Sequence, residues 1–314
     1  MSLKVSILGI GQMGKNHLRI LSMLKDVVVK NIFDFNEVEL KLLSAKYDVP
    51  YTLNIDEALQ DVDAVIIVTP TSTHFDYFKL CVGKVTNVFI EKPLAETYAQ
   101  AQEIKVLANE NGMFVQCGFI ERFNPVVVEL KNILKTTKVI NADFFRTNRL
   151  SSRITDVDVV VDLMIHDIDL ALYLNGPIQN VIAYGNKEHG LVAFASAVFK
   201  HQNGSLSRAI ASRMTEKKMR SIQVTTADAY IDAELVRKEL QVHKQSSITD
   251  VDDSYIVSSL KQQIEVKPQE ALLVELQSFI SRCNGDQSAV LPDVDAGVES
   301  LRICQLVLES IENA

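Results

Sequence analysis

The stretch Leu3-Lys4-Val5-Ser6-Ile7-Leu8-Gly9-Ile10-Gly11-Gln12-Met13-Gly14 decides the fold. Leu3 to Leu8 reads as a short β-strand, the glycines as a turn, and Lys15 to Lys25 as a helix. The spacing G-x-G-x-x-G suits that order. The first glycine allows the tight turn, the second clears the approach of a pyrophosphate, and the third lets helix and strand pack closely. Free N–H groups at the helix N-terminus would then hold the anion. A glycine-rich turn can also be only a turn, and the next run sharpens the choice. Val27 to Phe33 ends in Asp34, twenty residues beyond Gly14, where a carboxylate can accept hydrogen bonds from ribose hydroxyls. Phe35 and Asn36 follow with no adjacent arginine, so a 2′-phosphate would meet negative charge. NAD is expected over NADP, bound by Gly9, Gly11, Gln12, Met13, Gly14 and Asp34.

Outward from this unit the alternation of strand and helix continues, as a doubly wound parallel sheet requires. Asn36 to Tyr47 is helical, Val49 to Thr52 a short strand, Asp63 to Val68 a buried strand and Val85 to Ile90 another. Ligands bind outside the carboxyl ends of such strands, where Gly9, Asp34, Thr69 and Lys92 all fall. Lys92 stands between a strand end and Pro93, and a cis Lys-Pro bond would fix its direction. His17 reads as a packed histidine, and His74, at a helix start, as a capping or cofactor-edge residue. Ala95 to Glu110 is helical, Gly112 stops it, and Met113 to Cys117 is the sixth strand. A dinucleotide-binding Rossmann domain is therefore expected over 1–118, with a substrate-binding and oligomerisation α/β domain over 119–314.

In the second part, Val157 to Leu174 (VDVVVDLMIHDIDLALYL) places carboxylates and an imidazole in a run apolar enough to be buried. At 100° per residue, Asp162, His166 and Asp169 lie within about 60° of one another and Asp167 points away. Buried ionised carboxylates cost several kcal/mol unless partnered, so these residues either satisfy one another in a core helix or line a polar cleft that does chemistry. Arg146, Arg149 and Arg153 precede the stretch. Their guanidinium groups suit an anionic substrate such as a diphosphate, and solvated surface arginines fit the same spacing. After Gly176-Pro177 the chain is strand-rich to Lys244, with Asn203-Gly204 as a hairpin turn, and this predicts one large, mainly antiparallel sheet. The apolar run Leu191 to Phe199 suggests burial on both faces, which sheet-to-sheet oligomerisation would satisfy. Residues 245–263 read as a polar, mobile loop with a short strand, and helices over Pro268–Cys283 and Asp295–Ile311 close the chain.

Composition narrows the partners. A chain of 314 residues with 47% hydrophobic and 23% charged residues is an ordinary globular protein with about two domains. Its net charge of -8 argues against nucleic acid or an anionic membrane as the main partner. The 4 cysteines are far apart with no C-x-x-C pair, so neither zinc nor a disulfide framework is indicated, and no metal is expected. Without a signal-peptide pattern or a spanning apolar run, the cytoplasm is the expected location.

Taken together, Gly9-x-Gly11-x-x-Gly14, Thr69-Pro70, Glu91-Lys92-Pro93, Arg122-Phe123-Asn124-Pro125 and Asp162-x-x-x-His166-x-x-Asp169 resemble the glucose-fructose oxidoreductase, inositol dehydrogenase and rhizopine-catabolism (Gfo/Idh/MocA) family over essentially the whole chain. The resemblance implies an N-terminal Rossmann domain, a C-terminal α/β domain with a large open sheet, and NAD(P)-dependent oxidation of a sugar or cyclitol hydroxyl. It makes Lys92, Asp162 and His166 the catalytic trio, and Thr69 and Glu91 cofactor contacts. Arg122, Asn124, Arg149 and Arg153 join Asp162 and His166 as expected substrate contacts. GFIERFNP and VVDLMIHDIDL look most like the nucleotide-sugar branch, which implies oxidation of the 3-hydroxyl of a UDP-N-acetylhexosamine such as UDP-GlcNAc; the C-terminal sheet separately suggests a homodimer or homotetramer. A free-sugar or inositol dehydrogenase and a non-enzymatic NAD-binding regulator on the same fold are the alternatives.

Overall fold

The computed structural model describes residues 2–148, 157–251, 254–288 and 290–314. The chain divides into two compact units. The first is Met1–Ile120 with Glu270–Arg302, and the second Glu121–Gln269 with Ile303–Ala314.

In the first unit β1 (Leu3–Leu8), α1 (Gln12–Leu21), β2 (Val27–Phe33), α2 (Glu37–Tyr47), β3 (Tyr51–Thr52), α3 (Ile55–Ala58), β4 (Ala64–Ile67), α4 (His74–Cys81), β5 (Asn87–Glu91), α5 (Tyr98–Glu110) and β6 (Phe114–Gly118) follow in order. The strands form a parallel sheet in the order β3-β2-β1-β4-β5-β6, with Leu8 opposite both Phe33 and Ile67. This is a doubly wound Rossmann sheet, whose chain order reverses beside β1. Ala64 to Ile67 are wholly buried, because helices cover both faces of a parallel sheet. Local chemistry starts the helices: the Asn36 side chain accepts from the Glu39 N–H, and Thr97 and Gln100 form a reciprocal capping box.

The second unit contains α6 (Pro125–Leu134), β7 (Val139–Thr147), α7 (Ile165–Asn175), β8 (Ile178–Glu188), β9 (Leu191–His201), β10 (Leu206–Ser212), β11 (Met219–Thr226), β12 (Ala229–Glu234), β13 (Glu239–Val251) and β14 (Ser254–Ile264). Their sheet runs β14-β13-β12-β11-β7-β10-β9-β8, and its neighbours are antiparallel except β7 and β10. Gly204, at φ 87, makes the expected turn between β9 and β10.

One expectation for this sheet is corrected. The described residues of 245–263 are strand rather than loop: β13 and β14 pair antiparallel from Leu240 and Ile264 out to Val251 and Ser254. Backbone pairing needs no apolar pattern, so a polar ribbon leaves little mark in sequence. Within the single chain β9 is covered on one face, and the other face is left open. Ala195, Ala197 and Phe199 are fully buried while Val198 is 41% exposed, the alternation of a sheet with one covered face.

The last helices are α8 (Ala271–Cys283) and α9 (Val294–Glu312). The sequence reading assigned everything after 118 to the second domain, yet α8 lies in the core of the first unit. Leu272, Leu276 and Phe279 join Val5, Ile7, Leu18 and Phe89 there, with the Phe279 and Phe89 rings edge to face at 5.6 Å. Among the described residues no helix is long and apolar enough to cross a membrane. No group of three or more His, Cys, Asp or Glu among them could hold a metal ion.

Candidate functional site

At the carboxyl ends of β1, β2 and β4, a cleft of about 680 Å³ is lined by Gly9, Gly11, Gln12, Met13, Asp34, Phe35, Thr69, Pro70, Thr73 and Tyr77, among others. Its size falls in the range of roughly 300–1,000 Å³ typical of ligand sites. Gly9 takes a left-handed φ of 92, and a Cβ there would lie 2.8 Å from the Thr69 N. A Cβ at Gly14 would come within 2.1 Å of the Gly9 carbonyl oxygen, so helix and strand meet through bare backbone. At Gly11, the N-cap of α1, a Cβ would meet no atom within 4 Å, and no side chain caps the helix. Open space and uncapped N–H groups at a helix start fit a dinucleotide pyrophosphate.

Asp34 closes one wall. Its Oδ2 accepts from the Ile10 N–H at 2.8 Å and its Oδ1 from the Asn36 N–H at 3.0 Å. A carboxylate offers about four lone-pair sites, so capacity remains for ribose hydroxyls. Tyr77, whose ring lies edge-on to Phe33 at 5.9 Å, faces the same wall. Burial, with the Asp34 charge, raises its phenol above the ordinary value, keeping the hydroxyl a donor.

The Lys92-Pro93 bond is cis. Glu91 is held from two sides: Oε1 lies 2.8 Å from Nε2 of the fully buried His17, and Oε2 accepts the Lys92 N–H at 3.2 Å. His74 departs from expectation. It is 1% exposed, with Nδ1 2.9 Å from the Pro93 carbonyl and Nε2 2.9 Å from the Thr69 carbonyl. It neither caps α4 nor lines the cleft, but ties two strand-end segments together.

In the second unit the polar stretch begins with a π-helical turn, Val160–Met164, that runs into α7. Three carboxylates of this stretch have arginine partners. Asp167 receives bonds from Nε and Nη2 of Arg146, the shortest 2.8 Å. Asp169 receives Nε of Arg122 at 2.9 Å and Nη2 at 2.6 Å, and Asp162 receives Nη2 of Arg213 at 3.1 Å. Asp167 and Asp169 are buried, while Asp162 and His166 are half-buried. The expected face of three groups thus narrows to Asp162 and His166, because Asp169 is committed to Arg122. π turns of this kind recur at functional sites.

Several arginine and amide expectations change with this geometry. Arg146 is no anion-binding residue. It is 1% exposed, and its Nη1 also donates to Glu121 at 2.8 Å. Burial alone would lower its affinity for a proton, but Asp167 and Glu121 outweigh that and hold the guanidinium above its ordinary pKa. Burial would likewise push Glu121 up, and Arg146 and Arg220 reverse the shift, leaving it below the usual carboxylate value. Asn124 is the N-cap of α6, accepting from the Val126 N–H while its amide donates to Glu121 and the Leu235 carbonyl. Capping, not sugar contact, accounts for it. Arg122, expected at the substrate, instead forks onto Asp169 and lies over the Tyr173 ring at 4.8 Å. Arg149 and Arg153 lie outside the described residues.

Comparison with known proteins agrees with both halves of this description. The profile of the oxidoreductase family with an NAD-binding Rossmann fold, GFO_IDH_MocA, matches residues 3–119, and that of the GFO/IDH/MocA C-terminal domain matches residues 139–232. The chain belongs to the Gfo/Idh/MocA family. It is an NAD-dependent oxidoreductase by that membership. It is 26% identical over 286 residues to UDP-N-acetylglucosamine 3-dehydrogenase of Acidithiobacillus ferrooxidans, covering 89% of this chain and 88% of that one. The structure of that enzyme superposes with a TM-score of 0.89 over 100% of this chain and 99% of its own, at 24% identity. The scyllo-inositol 2-dehydrogenase (NAD(+)) of Bacillus subtilis is 25% identical over 263 residues, 77% of this chain and 74% of that one.

Sequence reasoning missed Thr73, Tyr77 and Arg213. Thr73 and Tyr77 stand four residues apart at the start of α4, a spacing that could have placed both on the cleft wall. Arg213 lies 51 residues from Asp162, with no local signal linking them.

Proposed function

We propose that this member of the family oxidises a secondary hydroxyl of a nucleotide-linked sugar, the 3-hydroxyl of a UDP-N-acetylhexosamine such as UDP-GlcNAc, to a ketone. The observation that carries this choice is similarity to a UDP-N-acetylglucosamine 3-dehydrogenase along nearly nine-tenths of the chain. NAD, when bound, would supply the acceptor for the hydride of the carbinol carbon, and the hydroxyl proton must leave as that carbon is oxidised. His166, half-buried in the first turn of α7, accepts that proton, the general-base role that imidazole fills most often. Asp162, one turn earlier, orients the sugar and the imidazole. Lys92 donates to the same oxygen and stabilises the developing alkoxide. Gly9, Gly11, Gln12, Met13 and Gly14 hold the pyrophosphate, Asp34 the ribose, and Thr69 and Glu91 the remaining cofactor contacts.

The chain assembles with itself through the C-terminal sheet, as a homodimer or homotetramer. Ile182 and Val198, directly paired across β8 and β9, are 53% and 41% exposed, and Tyr184 is 65% exposed. Such an apolar patch suits burial against a second copy. A molar mass of one chain by light scattering would remove this part.

The deciding experiment follows NADH formation over UDP-sugars, free hexoses and inositols. UDP-GlcNAc should give the highest kcat/KM, and His166→Ala and Lys92→Ala should each lose on the order of a thousandfold in kcat while still binding NAD. Near-normal turnover by either variant rejects its role. The likeness to scyllo-inositol 2-dehydrogenase favours a second reading, a cyclitol substrate, which would appear as inositol oxidation that UDP does not inhibit.

A further inference from the structure

Arg213 follows β10 and its backbone N–H donates to the Ala193 carbonyl at 2.9 Å, which fixes it to the end of β9. Its guanidinium then reaches the polar stretch at two points five residues apart. Nη1 donates to the Val157 carbonyl, and Nη2 donates to Oδ2 of Asp162 at 3.1 Å. Within the same stretch the Asp162 N–H donates to the Asp158 carbonyl at 3.0 Å, and Asp158 Oδ1 accepts the Val192 N–H at 2.6 Å. The entrance of the π turn is therefore fastened to the end of β9 by two independent links, one through Asp158 and one through Arg213.

The second link differs from the other arginine pairs of the stretch. Arg146 and Arg122 turn Nε and Nη2 together onto Asp167 and Asp169, the bidentate fork that best neutralises a buried carboxylate. Arg213 gives Asp162 only Nη2, and its own Nε is buried without an acceptor among the described residues. A buried N–H without an acceptor is uncommon and costs stability. The cost is accepted where Nη1 is required at Val157 and Nη2 at Asp162, which sets the position of the Asp162 carboxylate relative to the turn. Side-chain exposures of 12% for Arg213 and 19% for Asp162 leave the pair part-buried but not sealed from solvent.

We infer that Arg213 is a positioning residue for the oxidation, acting through Asp162: it holds that carboxylate in the orientation in which it aligns the substrate hydroxyl. This rests on the role proposed for Asp162. Misplacing a positioned group by about 1 Å costs on the order of a hundredfold in rate, so the effect is large enough to read.

The test is a double-mutant cycle on the full-length enzyme, using whichever of UDP-GlcNAc, glucose and scyllo-inositol the wild type oxidises fastest. Arg213→Gln should lower kcat by roughly 10- to 100-fold, with the Kd for NAD within about twofold of wild type by fluorescence titration. Asp162→Asn should lose at least as much, and the double variant should be no slower than Asp162→Asn alone, because one residue acts through the other. Arg213→Lys, which keeps the charge and one donor, should recover part of the loss, and serves if Arg213→Gln does not fold. If Asp162→Asn is impaired while Arg213→Gln and Arg213→Lys turn over normally, or if the two losses add, the assignment of Arg213 is overturned and that of Asp162 stands. Wild-type rates for Asp162→Asn remove both.

Discussion

The cleft of the first unit takes its shape from side chains that are missing at Gly9, Gly11 and Gly14, whereas the polar turn of the second takes its shape from arginines that arrive from elsewhere in the chain. In the cleft, uncapped backbone N–H groups and open space are what a ligand would meet, and a few residues close in sequence suffice to build them. At the turn, each buried charge must be met by an opposite one, and Arg122, Arg146 and Arg213 come from 47, 21 and 51 residues away. A site built from backbone is sensitive to added atoms. One built from ion pairs is sensitive to removed ones, since a single deletion strands a charge in low dielectric.

That contrast is broken or sharpened first at Arg146. Replacing it by Met leaves Asp167 and Glu121 buried without their shared cation, which should cost about 3–5 kcal/mol in urea unfolding. A loss under about 1 kcal/mol would mean that the network does not hold the turn. Next comes Gly14→Ala, whose Cβ would meet the Gly9 carbonyl oxygen at 2.1 Å. Overpacking there should cost roughly 1–3 kcal/mol and weaken NAD binding at least tenfold, because α1 must move. Gly11→Ala is the matched control. Its Cβ meets no protein atom, so stability should hold while NAD affinity falls, as calorimetric titration beside a melting curve would show.

Asp34→Ala is read on cofactor affinity alone. Losing a charged acceptor for ribose should weaken NAD by about 1.5–3 kcal/mol, and it should narrow the preference over NADP by removing the repulsion of the 2′-phosphate. Equal affinities for wild type and variant would move the ribose site away from Asp34.

The difference in materials also explains what could be read without coordinates. The Rossmann sheet was legible because β1, the glycines and Asp34 obey a spacing that one local geometry enforces. The strands of the second sheet were legible from alternation and from the Asn203-Gly204 turn. Three features left no local trace. The π turn at Val160–Met164 lies in an apolar run with neither proline nor glycine to mark a change of helical pitch. The partners of Asp162, Asp167 and Asp169 are fixed by tertiary packing, so counting 100° per residue grouped Asp169 with His166 when Arg122 had claimed it. His74, at the first position of α4, looked like a residue for the cofactor's edge, while its ring is turned inward onto two carbonyls.

Two buried histidines, His74 and His201, give the smallest effect and a sign that can be worked out. Burial pushes His74 and His201 below the ordinary imidazole value of 6.5. Below 6.5 the unfolded chain takes up protons that the folded rings refuse, so stability rises with pH across that window and is lost as pH falls through it. The limiting slope is about 1.4 kcal/mol per pH unit for each site. The two rings are not equivalent. Nδ1 of His201 lies 2.8 Å from the Gly176 carbonyl and Nε2 2.8 Å from the Ser207 hydroxyl, which accepts from Asn175 and can donate to the ring, so the neutral form is fully satisfied. His74 faces a carbonyl at each nitrogen, and only the protonated ring can donate to both, so hydrogen bonding there opposes the effect of burial. His201→Gln should therefore flatten the acid side of a stability curve, measured by urea unfolding from pH 7.5 to 5.5, by about 1 kcal/mol, and His74→Gln by less. The reverse order would show that burial depresses His74 further than His201 despite the two carbonyls.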